Sequence, residues 1–91
     1  MKYSIEMSTK FKKDYKLIIK RGYDKKLLQT VIEILAEGEE LPPKYRDHSL
    51  SGNYSGYREC HITPDWLLIY RTYEDHLVLA LTRTGSHSDL F

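Results

Sequence analysis

The sequence predicts an α+β domain in which a helical hairpin packs on one face of a mostly antiparallel sheet. Three observations lead to this fold class. A short alternating segment opens the chain, two amphipathic helical stretches follow it, and three strand-like segments fill the last third. The order is β-α-α-β-β-β. Because 91 residues leave room for one hydrophobic core, we expect a single domain over residues 1–91.

The first half of the chain predicts one strand and two helices. Residues 3–7 alternate between apolar and polar side chains, which is the period of a half-buried strand. Ser8 or Thr9 can cap a helix that runs to about Arg21, and Asp24 can cap a second helix that stops at Gly38. The connection between them is short, so the two helices should form a hairpin.

The second half predicts a long ordered loop and a three-stranded meander. Pro and Gly punctuate residues 39–55, and a loop of this length in so small a domain is often functional. Strands are expected at 57–62, 66–73 and 77–83, joined by short turns and therefore antiparallel. The alternation of the last strand predicts that four side chains point to one side: Leu77, Leu79, Leu81 and Arg83.

The charge is unevenly distributed, although its formal sum is +1. Residues 1–37 carry nine Lys/Arg and five Asp/Glu, a net charge of +4, whereas residues 38–91 carry five and eight, a net charge of −3. Lys12, Lys16 and Lys20 share one side of the first helix, where they either face RNA phosphates or form an ordinary solvated surface.

Cysteine usage and hydropathy indicate where the protein works. Cys60 is the only cysteine, which excludes an intrachain disulfide. No apolar run approaches the roughly 20 residues that span a bilayer. We therefore expect a soluble protein of the cytoplasm.

Histidines are the candidate catalytic residues. Of the four, His48 lies in the long loop, His61 near a strand end, His76 in a hairpin turn and His87 in the C-terminal tail. An imidazole has an ordinary pKa of about 6.5, so that two of them can act as base and acid in RNA cleavage. Arg83 is the candidate for stabilising charge on the phosphoryl oxygens.

Each candidate also has a structural interpretation. His48 can hydrogen-bond within its loop, His61 can be a satisfied strand residue, and His87 can belong to a frayed terminus. Exposure alone explains His76. Arg83 can form a salt bridge at the sheet edge.

Three further residues have two interpretations each. Asp65 either acts as a base or partner of a histidine, or makes an ordinary turn after Pro64. Trp66 is either core or a rim contact. Phe91 is either an idle tail residue or an aromatic that stacks on an RNA base.

Metal chemistry is not expected from the spacing of possible ligands. His61 and Asp65 span a predicted turn, and no His/Cys cluster offers three ligands at a familiar spacing. The sequence therefore predicts chemistry that needs no metal and no cofactor.

Three blocks of sequence resemble the YafQ branch of the RelE toxin superfamily. They are the segments YRDHSLSG at 45–52, GYRECHITPDWLLIY at 56–70 and RTGSHSDLF at 83–91. They occur in the family's order, and the first strand and helical hairpin agree with it as well. The resemblance covers essentially the whole chain and implies a RelE-like fold.

The resemblance also implies which residues carry function. The family's catalytic set falls on His48, His61, Asp65, Arg83 and His87, its RNA-contacting residues fall on Trp66 and Phe91, and a substrate contact falls on Glu59. It implies an endoribonuclease that enters the ribosomal A site, cuts messenger RNA and thereby inhibits translation. A cognate antitoxin is the implied partner, and operator DNA is bound only through it. Unlike these commonly basic toxins, however, the chain is nearly neutral.

Three alternatives stay open at this point. A ParE-like member would share the fold and poison DNA gyrase, although the histidine set argues against it. A non-catalytic RNA-binding module would need only basic and aromatic residues. A ribosome-independent ribonuclease would use the same residues on naked RNA.

Overall fold

The computed structural model describes residues 1–91 and contains a five-stranded sheet with three helices. The strands are β1 (Ser4–Met7), β2 (His48–Ser49), β3 (Arg58–Thr63), β4 (Trp66–Tyr73) and β5 (Val78–Gly85). The helices are α1 (Thr9–Lys20), α2 (Lys25–Ala36) and α3 (His87–Leu90). The expected α+β fold is confirmed. No helix has the length and apolar character required to cross a membrane.

The sheet has the strand order β1-β5-β4-β3-β2. The meander β3-β4-β5 is antiparallel as expected, whereas β1 pairs with β5 in parallel. A parallel pair needs a long connection between its two strands. Here the connection from β1 to β5 contains α1, α2 and the strands β2, β3 and β4. The mixed sheet therefore places the N-terminal strand at one edge and the two-residue β2 at the other.

The helical hairpin covers one face of the sheet, where the larger core forms. Ser8 caps α1 by accepting from the Phe11 amide, and Asp24 caps α2 by accepting from the Lys26 amide. Phe11 and Ile18 of α1 are buried against the sheet. This core contains the helix-facing residues of each long strand: Cys60, Ile62, Trp66, Leu68, Tyr70, Leu79 and Leu81.

A β-bulge in β5 contradicts the expectation that Arg83 points to the same side as Leu81. Leu81 pairs with Tyr70, but Arg83 pairs with Ile69, so that β5 carries one extra residue between them. The extra residue turns Arg83 to the face opposite the helices. Leu77 also departs from the expected row, because it lies in the hairpin turn with a φ of 53°.

The second face is partly covered, not fully open as the layer arrangement predicted. Leu67 and Ile69 form a smaller core with Leu90 of α3, and Leu50, Tyr54 and Tyr57 pack against it. The predicted loop contains β2 and two short 3-10 turns, Pro43–Tyr45 and Gly52–Tyr54. The C-terminal segment, expected as an extended tail, is helical because Ser86 and Asp89 form a capping box.

Candidate active site

Two polar side chains of β3 lie on the sheet face opposite the hairpin. Glu59 and His61 alternate with the core residues Cys60 and Ile62, and alternate residues of a strand point to opposite faces. Glu59 is only 5% exposed. A carboxylate at this depth needs partners, and histidines provide them.

His48 joins Glu59 and His61 because β2 pairs with β3. Register places His48 directly opposite Glu59. Its Nε2 lies 3.4 Å from Glu59 Oε1, and the Nε2 of His61 lies 3.8 Å from the same oxygen. Glu59, for which a substrate contact is expected, thus contacts two imidazoles of the site.

The loop that carries His48 is fixed by Asp47. The hydroxyl of Tyr70 donates to Asp47 Oδ1 at 2.6 Å, and Arg58 Nε donates to Asp47 Oδ2 at 3.2 Å. Burial and the hydrogen bond to Asp47 raise the pKa of Tyr70. These contacts hold the residue before His48 against the core, so the imidazole has a defined position.

His87 completes a row of three imidazoles. The ring centroids of His48 and His61 are 6.1 Å apart, and those of His61 and His87 are 5.8 Å apart. All three rings direct Nδ1 to an oxygen acceptor: His48 to the Arg46 carbonyl at 2.7 Å, His61 to the Pro64 carbonyl at 3.3 Å, and His87 to Asp65 at 2.9 Å. Because these oxygens only accept, each Nδ1 is the donor of its pair. The Nε2 atoms of His48 and His61 face Glu59 Oε1, whereas Nε2 of His87 contacts no carboxylate.

Asp65 and His87 form a carboxylate–imidazole pair. The backbone amide of His87 also donates to Asp65, at 3.2 Å. These two hydrogen bonds lower the pKa of Asp65, so its carboxylate stays ionised beside the ring. The hydrogen bond at Nδ1 fixes the orientation of the His87 ring beside this carboxylate.

The short helix α3 is held by an ion pair with α1. Arg21 donates to both oxygens of Asp89, at 2.6 and 3.1 Å. Gly85 is needed beside this pair, because a Cβ there would lie 2.9 Å from Asp89 Oδ2. Together with the burial of Leu90, these contacts fix the helix that begins at His87.

The Arg21–Asp89 pair predicts a pH dependence of stability. Hydrogen bonds from Arg21 and from the Ser86 amide lower the pKa of Asp89 well below its ordinary 3.8. The ionised carboxylate therefore stabilises the fold above about pH 4, and this contribution is lost as the pH falls through the folded-state pKa. Urea unfolding at pH 7 and pH 2.5 should show a larger loss for wild type than for Asp89→Asn. Equal losses in both proteins would contradict this assignment.

Arg83 lies on the same sheet face as the histidines and forms a salt bridge with Asp14 of α1. Its Nε and Nη2 donate to Asp14 at 2.6 and 3.1 Å, and the Thr84 amide donates to the same carboxylate. Asp14 thus caps the edge of β5 beyond the end of β1. The hydrogen bond raises the pKa of Arg83. The salt bridge that was one of the two interpretations of Arg83 is present, and Arg83 Nη1 makes no hydrogen bond to Asp14.

Trp66 does not lie on a surface. It is 3% exposed, its indole N–H donates to Thr84 Oγ1 at 3.0 Å, and its ring meets Tyr23 edge-on. A buried indole has no face free for a base, so the predicted RNA contact through Trp66 is wrong. Its sheet position explains why: Trp66 belongs to the helix-facing row of β4.

The remaining candidates are exposed, and only one of them lies near the site. Phe91 is 65% exposed and contacts Tyr54, which belongs to the loop over the second face. Lys12, Lys16 and Lys20 are exposed on α1. This helix packs on the sheet face opposite the three imidazoles, so the lysines lie away from the site. His76 pairs with Asp75 in the hairpin turn, as expected for a solvent-exposed residue.

The site contains a possible metal-ligand set that sequence spacing did not reveal. His48, Glu59 and His61 place one ligand atom each within 4.8 Å of one another. Two imidazoles and a carboxylate suit a transition metal ion. Cys60 does not take part, because burial raises the pKa of its thiol to about 12 and its side chain faces the core.

Comparison with known proteins identifies the family. The model of the YafQ toxin family, described as the bacterial toxin of a type II toxin-antitoxin system, matches residues 3–91. The chain belongs to the YafQ family. It is therefore a toxin of a type II toxin-antitoxin system, and the resemblance seen in the three sequence blocks is confirmed.

Relatives of the YafQ family agree with this chain in both sequence and fold. The mRNA interferase toxin YafQ of Escherichia coli (strain K12) is 41% identical over 88 residues, which cover 96% of this chain and 94% of that protein. A metal-bound toxin from Helicobacter pylori has a TM-score of 0.92 at 48% identity, with 98% and 99% of the chains covered. YafQ in the E. coli DinJ–YafQ complex has a TM-score of 0.89 at 40% identity, with 98% of each chain covered.

Proposed function

We propose that this chain is an endoribonuclease that cleaves messenger RNA by histidine acid–base catalysis. The observation that carries the proposal is the row of His48, His61 and His87, in which each Nδ1 is held by an oxygen acceptor and the rings of neighbouring histidines lie about 6 Å apart. The E. coli relative named an mRNA interferase supports RNA as the substrate.

The ends of the imidazole row have different surroundings, which supports one division of the acid and base roles. His87 is paired with ionised Asp65 and is the general acid. His48 is at the other end and is the general base; Asp65, the alternative base, is occupied by His87. His48 Nε2 takes the proton of the ribose 2′-hydroxyl, and the 2′-oxygen attacks the adjacent phosphorus.

Cleavage is completed when the phosphorus–oxygen bond to the next nucleotide breaks. The departing 5′-oxygen takes the proton of His87, which leaves a 5′-hydroxyl on one fragment and a 2′,3′-cyclic phosphate on the other. His61 and the free Nη1 of Arg83 stabilise negative charge on the phosphoryl oxygens. Phe91 stacks on a base at the margin of the site.

A metal ion at the His48–Glu59–His61 set would compete with this chemistry. The metal-bound relative from H. pylori supports metal affinity in this family. In this chain, however, an ion held by these groups would occupy the nitrogens that abstract the proton and contact the phosphate. Metal binding is therefore inhibitory under this proposal, not part of the reaction.

The proposed cellular setting follows the family. The toxin acts on messenger RNA in the ribosomal A site and stops translation in the cytoplasm. The DinJ–YafQ complex supports a cognate antitoxin as partner. A disordered antitoxin segment that folds on the toxin can cover a large part of so small a surface. Operator DNA is then contacted through the antitoxin.

Induction of the chain in a bacterial host tests this proposal. Wild type should arrest growth and create new in-frame 5′ ends in messenger RNA, whereas His48→Ala should do neither because it lacks the base. His76→Ala removes an exposed histidine outside the row and should behave as wild type. Growth arrest by all three proteins without new 5′ ends would contradict ribonuclease function and favour a gyrase poison or a binding module.

A further inference from the structure

A basic pocket adjoins the imidazole row beside His61. It has a volume of about 390 Å³ and lies between the first 3-10 turn, the end of β3 and the start of α2. Its polar lining consists chiefly of Lys44, Tyr45, Arg46, His61 and Thr63. His61 thus faces both the pocket and the row of imidazoles. A ligand in the pocket would be continuous with one held by the histidines.

Arg46 differs from the other arginines of the chain in having no partner for its guanidinium. Arg21, Arg58 and Arg83 are paired with aspartates, and Arg71 lies over the rings of Tyr57 and Tyr73. Lys44 likewise pairs with no carboxylate; its Nζ lies 5.1 Å from the Tyr45 ring centroid. The pocket therefore presents two cations that no carboxylate of the protein neutralises. A phosphate group could form ion pairs with both of them.

The backbone of Arg46 connects the pocket to catalysis. Arg46 has left-handed backbone angles, with φ 49° and ψ 41°, a conformation that is uncommon for residues other than glycine. In this conformation its carbonyl accepts from His48 Nδ1 at 2.7 Å while its side chain lines the pocket. One residue therefore orients the general base and contributes charge to the adjoining cavity.

We propose that this pocket binds the nucleotide on the 5′ side of the scissile bond, with Arg46 and Lys44 contacting its phosphate and Tyr45 its base. The proposal rests on the proposed function. In an in-line displacement, the attacking 2′-oxygen faces the base and the leaving 5′-oxygen faces the acid. The pocket is lined by Arg46, whose carbonyl accepts from His48 Nδ1, whereas neither His87 nor Asp65 lines it. The nucleotide that carries the 2′-hydroxyl is therefore the one placed there.

The test compares Lys44→Gln/Arg46→Asn with Lys12→Gln/Lys16→Gln, which removes the same charge from the far side of α1. Asparagine tolerates the left-handed conformation, so His48 keeps its carbonyl partner. The ligand is a short RNA with 2′-O-methyl substitution at every position, which cannot be cleaved because no 2′-hydroxyl can attack. The pocket variant should bind it about tenfold or more weakly. The slope of log K against log salt should become shallower by about 0.7, because one phosphate contact is lost.

The outcomes separate the pocket from the ribonuclease function. Equal affinity in both double variants would overturn the pocket. Loss of affinity in the pocket variant alone, together with a wild type that leaves ordinary ribosome-bound messenger RNA intact, would support the pocket and reject the proposed ribonuclease. Arg46→Lys, which keeps the charge, should recover most of the affinity lost by Arg46→Asn; if it recovers none, charge is not what binds RNA there.

Discussion

His87→Ala is expected to slow RNA cleavage by purified protein on programmed ribosomes by about 10²- to 10⁴-fold, the usual contribution of a general acid. The 5′-oxygen of the departing nucleotide is a poor leaving group unless it is protonated, and His87, the proposed acid, is hydrogen-bonded to the ionised Asp65. Single-turnover cleavage of an end-labelled message measures the loss directly, since it excludes product release.

Two further variants show whether the loss comes from acid catalysis. Asp65→Asn keeps an acceptor for His87 Nδ1 but removes the charge, so a smaller decrease is expected. Free imidazole should restore part of the activity of His87→Ala, because a small diffusible acid fits where the ring was removed. Cleavage by His87→Ala at the wild-type rate would show that another group protonates the leaving oxygen.

Trp66→Ala is expected to cost about 3–5 kcal/mol of the free energy of unfolding, the range measured for truncation of large buried aromatics. The substitution leaves a cavity between the sheet and the hairpin and removes the partner of Thr84 Oγ1. For a small domain this is a large part of a total that is typically 5–15 kcal/mol. Urea unfolding monitored by circular dichroism measures the loss.

Trp66→Phe decides between core and RNA contact without unfolding the protein. Phenylalanine keeps most of the buried ring and loses only the hydrogen bond to Thr84, so stability should fall modestly. RNA affinity and the cleavage rate of the folded fraction should stay at wild-type values. A selective loss of RNA affinity at unchanged stability would contradict the buried position of Trp66.

Local sequence patterns predicted most of the elements but missed features set by strand register. Caps at Ser8 and Asp24 and the alternation in residues 57–83 placed both helices and the meander correctly. The bulge that turns Arg83 away from Leu81 was not predictable, because the segment from Leu81 to Arg83 contains no glycine or other residue that marks a bulge. The parallel position of β1 was missed as well, since pairing across the whole chain is not encoded in any local pattern.

In the candidate site, too, residue types were predictable from the sequence, whereas long-range contacts were not. The histidine residue type and the family blocks indicated His48, His61, Asp65 and His87, which the structure brings together. Sequence reasoning missed Asp14, Arg21 and Asp89, whose contacts join residues about 70 positions apart. The one available signal was charge complementarity between the basic first half and the acidic second half. That signal names no particular pair.

The chemical form of the cleaved ends tests the histidine mechanism most directly. Purified wild type would be incubated with ribosomes programmed with a defined message, and the 3′ ends of the upstream fragments analysed by mass spectrometry. Attack by the 2′-oxygen predicts a 2′,3′-cyclic phosphate, with a 5′-hydroxyl on the downstream fragment and no cleavage where the preceding ribose lacks its 2′-hydroxyl. Fragments that carry a 3′-hydroxyl and a 5′-phosphate, or cleavage after a 2′-deoxy position, would contradict attack by the 2′-oxygen.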